Sequence, residues 1–530
     1  MNAKPYYPVG IQSFEKLRRL NALYVDKTEL VHKLVSTSTS VFLSRPRRFG
    51  KSLLSSTLAC YFEGRKELFA GLAVERLETE WVQHPVFHFD LSTAKNKSLA
   101  RMAEDISAQL DRYEKIYGDK YASASLGTRL SMLITQAYEQ TGRRVVVIID
   151  EYDAPILGCL HNPDQMQELR GELREFFAPL KANDCYLRFV FITGISAFSQ
   201  LSIFSELNNL KIISDSDEYA AICGITQQEL EDNFQYGIND LAERSNCSAG
   251  EMIAMLKQQY DGYHFSKSCI DVYNPFSLLN AFDSGDMAFY WFASGTPTFL
   301  IEMLKKYQAK GAFDLDMLDS NKPVSSGIFT KPLEEYSGPI PLLYQAGYLT
   351  IKRFVPNFRQ YILGIPNTEV RVGLLQSLLP LFSGVDQDEA GSTCDTASAY
   401  LREGNCEEAL NLLKALLASI LFMHGTAHIF ESKEKTEAYY HRFFYFFFKM
   451  LHREVEAECR SSRGAADIIV KTPKFVYIFE IKINSSPEIA LRQIEEKGYA
   501  TPFLVDSRQL IKVGINCSTE LRTLDRWTIA

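Results

Sequence analysis

The chain has 530 residues, 46% of them hydrophobic, and a formal net charge of −8, so it is too long for one ordinary core and too acidic for a globally basic nucleic-acid coat. Its longest clean apolar run, at 415–423, is about half a bilayer span; the N-terminus MNAKPYYPVG carries no basic-then-apolar leader, and the ten cysteines stand singly. These features exclude a membrane span and a disulfide scaffold, and they predict a cytoplasmic protein of roughly two to four domains with reduced cysteines.

In chain order, SVFLSR (40–45) reads as a strand and KSLLSSTLACYF (51–62) as a helix. PVFHFDLS (85–92) reads as a second strand, followed by helices over 99–117 and 126–142. RRVVVIIDEYDAP (143–155) is a β-branched strand, and after another helix comes the strand CYLRFVFITGIS (185–196). Almost continuously apolar strands alternating with helices predict a parallel sheet covered on both faces. Residues 226–430 turn mainly helical, with helices expected around 228–260, 275–283, 297–308 and 396–422. From 431 the texture changes to helix, strand AADIIVK, strand KFVYIFEIKIN and helix SPEIALRQIEEKGYA. The expected domains are therefore 1–225, 226–430 and 431–530. Residues 431–530 carry 16 Lys and Arg against 14 Asp and Glu, or +2, which leaves −10 for 1–430; the C-terminal fifth is better suited to approach a phosphate backbone.

The stretch SRPRRFGKSLL holds most of a phosphate-loop pattern, G-x-x-x-x-G-K-[ST], but has Arg45 where the first glycine belongs. Gly50, Lys51 and Ser52 nevertheless lie between a strand and a helix, where unpaired N–H groups and a dipole end favour phosphate. Lys51 there would reach the terminal phosphates and Ser52 would ligate Mg²⁺, with Arg45, Arg47 and Arg48 adding positive charge. About ninety residues on, VVVIIDEYD delivers Asp150 and Glu151 at a strand's C-terminal end, where ligands bind in open α/β sheets. Asp150 would hold Mg²⁺ through water and Glu151 would polarise the attacking water; the plainer alternative is a solvated strand exit. Thr193 and Ser196 end the next strand, either as sensors of the γ-phosphate or as ordinary strand-end residues. The reading is a modified phosphate loop for ATP, held by Arg47, Arg48, Phe49, Gly50, Lys51, Ser52, Asp150 and Thr193, with Ser52 and Asp150 on the metal.

In FVYIFEIKIN, alternation puts Val476, Ile478, Glu480 and Lys482 on one face and Tyr477, Phe479 and Ile481 on the other. An acid and a base embedded in an apolar strand are costly unless they pair or hold a metal. Asp467, thirteen residues upstream of Glu480 at the start of a neighbouring strand, completes a two-carboxylate set for Mg²⁺-dependent phosphodiester chemistry, with Lys482 orienting or activating the water. A buried Glu480–Lys482 salt bridge is the alternative. His264 in YDGYHFS reads as a packing histidine, since no partner forms a triad spacing. The run YYHRFFYFFFKML reads as a buried helix, or else a docking face.

These landmarks, with YYPVGIQSFEKLR, YVDKTEL, ITGISAFSQLSIFSELNNL, ITQQEL, VYNPFSLLNAF and LLYQAGYLTI, are spread along nearly the whole length. Together they resemble the bacterial family of AAA-ATPase-like proteins with a C-terminal PD-(D/E)XK nuclease domain, in which RPRRFGKS without the first glycine is usual. The resemblance implies an additional-strand, AAA-like P-loop sheet over 1–225, a helical lid or linker over 226–430, and an α/β restriction-endonuclease-like domain over 431–530. It also implies a strand separating those that carry Lys51 and Asp150, for which PVFHFDLS is the candidate. The family's nuclease pattern is matched at Glu458, Gly464, Asp467, Glu480, Lys482, Gln493 and Tyr499. It implies metal ligation by Glu458, Asp467 and Glu480 and catalytic roles for Asp467, Glu480, Lys482 and Gln493. Ala465 stands where the family commonly has arginine, which puts a phosphate or structural contact in doubt. The expected function is an ATPase whose nucleotide state gates a Mg²⁺-dependent nuclease acting on nucleic acid, DNA above RNA, away from membranes and with self-association left open. Two alternatives are a nucleotide-dependent switch or scaffold with a silent nuclease-like fold, and a cleaving domain beside a merely structural phosphate loop.

Overall fold

An apolar strand needs cover on both faces, and the computed structural model shows that cover for the central strands of both sheets. It describes residues 4–94, 98–159, 162–196, 210–294, 298–309, 323–329, 338–383, 387–423, 440, 443–444, 447–448, 456–459, 467–521 and 523–530. By internal contacts the chain divides into Met1–Glu369 and Val370–Ala530.

In the first unit β1 (Ser40–Ser44), β2 (Val86–Asp90), β3 (Val145–Asp150), β4 (Leu187–Gly194) and β5 (Lys211–Ile212) form one parallel sheet in the order β2-β3-β4-β1-β5. Helix α1 (Lys51–Phe62) covers one face, where Phe62 packs on Phe189. Helices α2 (Leu99–Tyr117), α3 (Leu126–Thr141) and α4 (Pro163–Phe177) cover the other, with Phe89 against Tyr113 and Phe176.

The order corrects one expectation. PVFHFDLS does not separate the strands of Lys51 and Asp150; it is the sheet's edge, and β4 is the separating strand. The physical reason is burial: β4 is buried at every residue but Arg188, whereas β2 alternates buried Phe87 and Phe89 with half-open Val86 and His88 and exposed Asp90, the pattern of a strand covered on one face only.

The expected boundary at 225 does not coincide with the observed division, because the following residues pack onto the phosphate loop: Tyr263 and Phe265 lie edge-on to Phe49. Helices Gln227–Asn233, Gln235–Arg244, Ala249–Tyr260 and Pro275–Ser284 gather around Leu230, Phe234, Leu256 and Phe282. A small sheet of β6 (Val324–Ser325), β7 (Thr350–Val355) and β8 (Gln360–Gly364) was not anticipated. The boundary expected at 430 likewise falls inside the second unit.

That second unit has helices Gln387–Glu403 and Cys406–Met423 and a five-stranded sheet of β9 (Glu456–Cys459), β10 (Ile468–Lys471), β11 (Phe475–Ile483), β12 (Gln509–Ser518) and β13 (Thr523–Ile529) in the order β13-β12-β11-β10-β9. Only β11 and β12 run parallel. Helix α5 (Pro487–Glu496) sets Ile494 against Val476 and Ile478, while Phe479, on the opposite face, meets Phe448. The described members of the aromatic run, Tyr440, Phe443, Phe444, Phe447 and Phe448, are all buried. Among the described residues no helix is long and apolar enough to cross a membrane, and nine cysteines are free.

Candidate functional site

Between β1 and α1 the chain turns through two left-handed positions, Arg48 at φ 67° and Gly50 at φ 91°. Only glycine takes the second without strain, and it caps α1, so that the helix's first N–H groups open towards the loop. Lys51 is 4% exposed, and its Nζ donates to the carbonyl oxygens of Arg45 and Pro46, each at 3.1 Å. A cation parked on its own loop's carbonyls can exchange them for phosphate oxygens.

Arg45 departs from its expected role. It is 2% exposed and adds no charge to the loop's outer side; its Nη1 donates to Ser44 O (2.9 Å) and Ser214 O (2.6 Å), its Nη2 to Tyr219 O (3.3 Å), and its guanidinium lies 4.1 Å from the Phe265 ring centroid. Burial lowers its pKa. The residue replacing the first glycine therefore ties the loop to the segments beyond β5. Arg47 is half-buried, its carbonyl accepting from Trp291 Nε1 at 3.1 Å, and exposed Arg48 lies 4.6 Å from the Phe276 ring centroid.

Asp150 is 4% exposed at the end of β3, and burial pushes its pKa up to about 6 against the pull of the neighbouring Ser52 and Lys51. Glu151 follows at φ 51°, the kind of strained backbone that collects at functional sites. Thr193 is fully buried and its Oγ1 has no hydrogen-bond partner among the described residues. Ser196 differs: its hydroxyl and its N–H (2.7 Å) both bind Asp153 Oδ2, which fixes the strand end. A Cβ on Gly194 would come within 2.5 Å of Asp153 Oδ1, so the turn depends on that glycine. A hydroxyl beside a buried carboxylate, with an orphaned hydroxyl and a lysine close by, fits a phosphate-bound Mg²⁺.

Beside Gly50 and Leu53 opens a mostly apolar cleft bordered by Leu23, Tyr24, Val25, Ile222 and Cys223, with the ion pair Lys27–Glu229 (2.6 Å) at its rim. These residues escaped the sequence reading, although the YVDKTEL motif contains three of them. His264 behaves as a packing residue: its Nδ1 lies 2.6 Å from Ile351 O and its Nε2 meets Asp271.

In the second unit the expected alternation holds along β11. Glu480 is 1% exposed; its Oε1 accepts from Lys482 Nζ (2.9 Å) and from Gln493 Nε2 on α5, while its Oε2 is buried without a partner among the described residues. Burial, then Asp467, raise the Glu480 pKa, and Lys482 opposes them. Asp467 Oδ2 accepts the Ile481 N–H at 2.8 Å, which holds that carboxylate beside β11. Two converging carboxylates with one orphaned oxygen fit a divalent cation. Glu458 is placed by its backbone on β9 opposite Ile469; its side chain, Gly464 and Ala465 lie outside the described residues, as does most of ITGISAFSQLSIFSELNNL.

Residues 8–204 match the model of the family described as "Predicted AAA-ATPase", and residues 435–527 match "PD-(D/E)XK nuclease superfamily". A protein of Azotobacter chroococcum mcd 1, named "Uncharacterized protein in vnfD 5'region", is 33% identical over 528 residues, covering 98% of this chain and 97% of that protein. Among solved structures, the Aeropyrum pernix ORC2 protein (ADPNP–ADP complexes) matches 67% of this chain and 88% of its own at 14% identity, with a TM-score of 0.24, too low to carry features across. Matched from end to end by a bacterial relative and at both ends by these two models, the chain belongs to the family of predicted AAA-ATPases that carry a PD-(D/E)XK nuclease superfamily domain.

Proposed function

We propose that this protein binds and hydrolyses ATP with Mg²⁺ at the phosphate loop, and that its nucleotide state gates a Mg²⁺-dependent nuclease centre at Asp467, Glu480 and Lys482 that acts on nucleic acid, DNA above RNA, in the cytoplasm. The observation that carries the nuclease reading is the Glu480 Oε2 atom, buried without a hydrogen-bond partner among the described residues and next to a second carboxylate. At the phosphate loop, Lys51 and the α1 N-terminus would hold the β- and γ-phosphates, Ser52 and Asp150 would hold Mg²⁺, Glu151 would orient the attacking water and Thr193 would meet the γ-phosphate. Bound Mg²⁺ would neutralise charge developing on the phosphates. At the second site Asp467, Glu480 and Glu458 would hold the metal, Lys482 would orient the attacking water, and Gln493 holds Glu480 in place. The apolar cleft next to Gly50 would take the nucleobase.

One observation favours a second reading, a nucleotide-dependent switch with a silent nuclease-like fold: Glu480 Oε1 is already engaged by both Lys482 and Gln493. The experiment that decides is incubation of single- and double-stranded DNA and RNA with the purified chain and Mg²⁺ or Mn²⁺, with and without ATP, beside Asp467→Ala. Cleavage needing both ATP and Asp467 is expected. ATP hydrolysis without cleavage of any substrate would select the switch.

A further inference from the structure

The sheet of the first unit carries one more carboxylate at the same level as the proposed Mg²⁺ ligands. Leu43 of β1 is in register with Thr193 of β4, and Asp90 of β2 with Asp150 of β3. The last register pair of β3 and β4 is Ile149–Ile192, so the next step of that ladder sets Asp150 against Thr193. Leu43, Thr193, Asp150 and Asp90 thus form a single row across the C-terminal ends of four parallel strands, and residues at one level of a parallel sheet project to the same face.

The face is the one covered by α1. Phe189, in phase with Thr193, packs on Phe62 of α1, and Ser52 of α1 reaches Asp150. Phe87 and Phe89, out of phase with Asp90, pack on the opposite face against Tyr113. Asp90 is exposed; its Oδ1 accepts the Ser92 N–H at 2.9 Å, which holds the carboxylate at the strand end. Independently of these acids, the hydroxyl of Thr193 in the same row, fully buried and without a partner among the described residues, marks the row as facing a ligand.

We infer that Asp90 is a positioning residue of the nucleotide site: its carboxylate accepts hydrogen bonds from waters of the Mg²⁺ shell, one strand beyond Asp150. The inference rests on the phosphate-loop reading. It explains a charged residue at the exit of an edge strand whose other side chains are largely apolar, and it puts part of the metal's outer shell on the edge strand next to β3.

The test is the affinity of the purified full-length chain for a non-hydrolysable ATP analogue, titrated with and without Mg²⁺, for wild type, Asp90→Asn, Asp90→Glu and Asp150→Asn. Matching thermal melts without ligand show that the variants are folded. The expected result is that Asp90→Asn loses about tenfold of the affinity gained from Mg²⁺, the lower end for an outer-shell ligand partner, that the loss is confined to the Mg²⁺ titration, and that Asp90→Glu recovers part of it. A full Mg²⁺ gain in Asp90→Asn, with the gain lost in Asp150→Asn, overturns the assignment of Asp90 alone. If wild type binds the analogue without any gain from Mg²⁺, the nucleotide-site reading falls and takes this inference with it.

Discussion

Each half of the chain buries a glutamate almost completely, and the two are kept in different company. Glu369, 1% exposed in the first unit, accepts the Ser277 hydroxyl (2.7 Å) and the Trp291 N–H (2.8 Å), and burial pushes its pKa up to about 7. Glu480, equally buried in the second, has Lys482 two residues along its own strand and a second carboxylate beside it. A lone buried acid answered by neutral donors is a structural tie, since it can shed its charge by binding a proton. A buried acid given both a cation and another acid is arranged for a charged ligand. The same contrast separates Arg45, whose guanidinium is spent on carbonyl oxygens and a ring, from Lys51, whose ammonium rests on carbonyls next to a helix N-terminus.

The largest effects should follow from removing the groups kept for ligands. Lys51→Ala is expected to weaken ATP binding at least about a hundredfold, the roughly 3 kcal/mol of a charge-assisted phosphate contact. Calorimetric titration measures this, and near-normal affinity would move the phosphates away from α1. Restoring the usual glycine in place of Arg45 should do the reverse. Arg45→Gly is expected to cost about 3 kcal/mol of stability, because carbonyls of Ser214 and Tyr219 lose a buried donor and Phe265 its partner. Denaturant unfolding checks it, and a more stable variant would contradict the structural role given to this arginine.

How much of this was legible in the sequence depends on how far apart the partners lie. The first four strands of the parallel sheet, the alternation along β11 and the pairing of Glu480 with Lys482 are local patterns and hold, while the two-residue β5 was not read. The strand order was misassigned because motif spacing says nothing about which strand lies between two others; the half-open alternation of VFHFD against the buried run in RFVFITG was the signal available. Arg45 was read as added positive charge beside the loop because its acceptors come from residues 214–220, about 170 positions away. β12 and β13 went unassigned; β12 has a run of five buried residues, whereas β13 buries only Thr523 and Leu524, and Asp90 acquires meaning only from its register with β3.

Glu369 offers a pH test of the first kind of company. Its pKa rises from an ordinary 4.5 to about 7, so the protonated form is favoured by folding: the stabilisation is complete below about 4.5 and is lost as pH climbs through about 7. Glu369→Gln, which keeps the shape without the charge, is therefore expected to gain stability over wild type at pH 8, by up to roughly 3 kcal/mol from the linkage, and to show no advantage at pH 4. Unfolding curves at the two pH values decide it; an equal difference at both would mean that the carboxyl does not titrate in that window.

Lys482→Met should give the smallest effect and the sharpest reading of the second kind of company. The lysine side chain is 26% exposed, so its attraction to Glu480 is partly screened. Its loss leaves Glu480 next to Asp467 with no cation, which drives the glutamate pKa further up until protonation relieves the site. The expected cost is about 1 kcal/mol at pH 8, shrinking as pH falls and Glu480 takes up its proton. If the variant is instead more stable than wild type at both pH values, the pair costs more in desolvation than it returns. A charged pair retained at a net cost to the fold, beside an oxygen left without a partner, is what a centre kept for chemistry requires and a structural salt bridge does not.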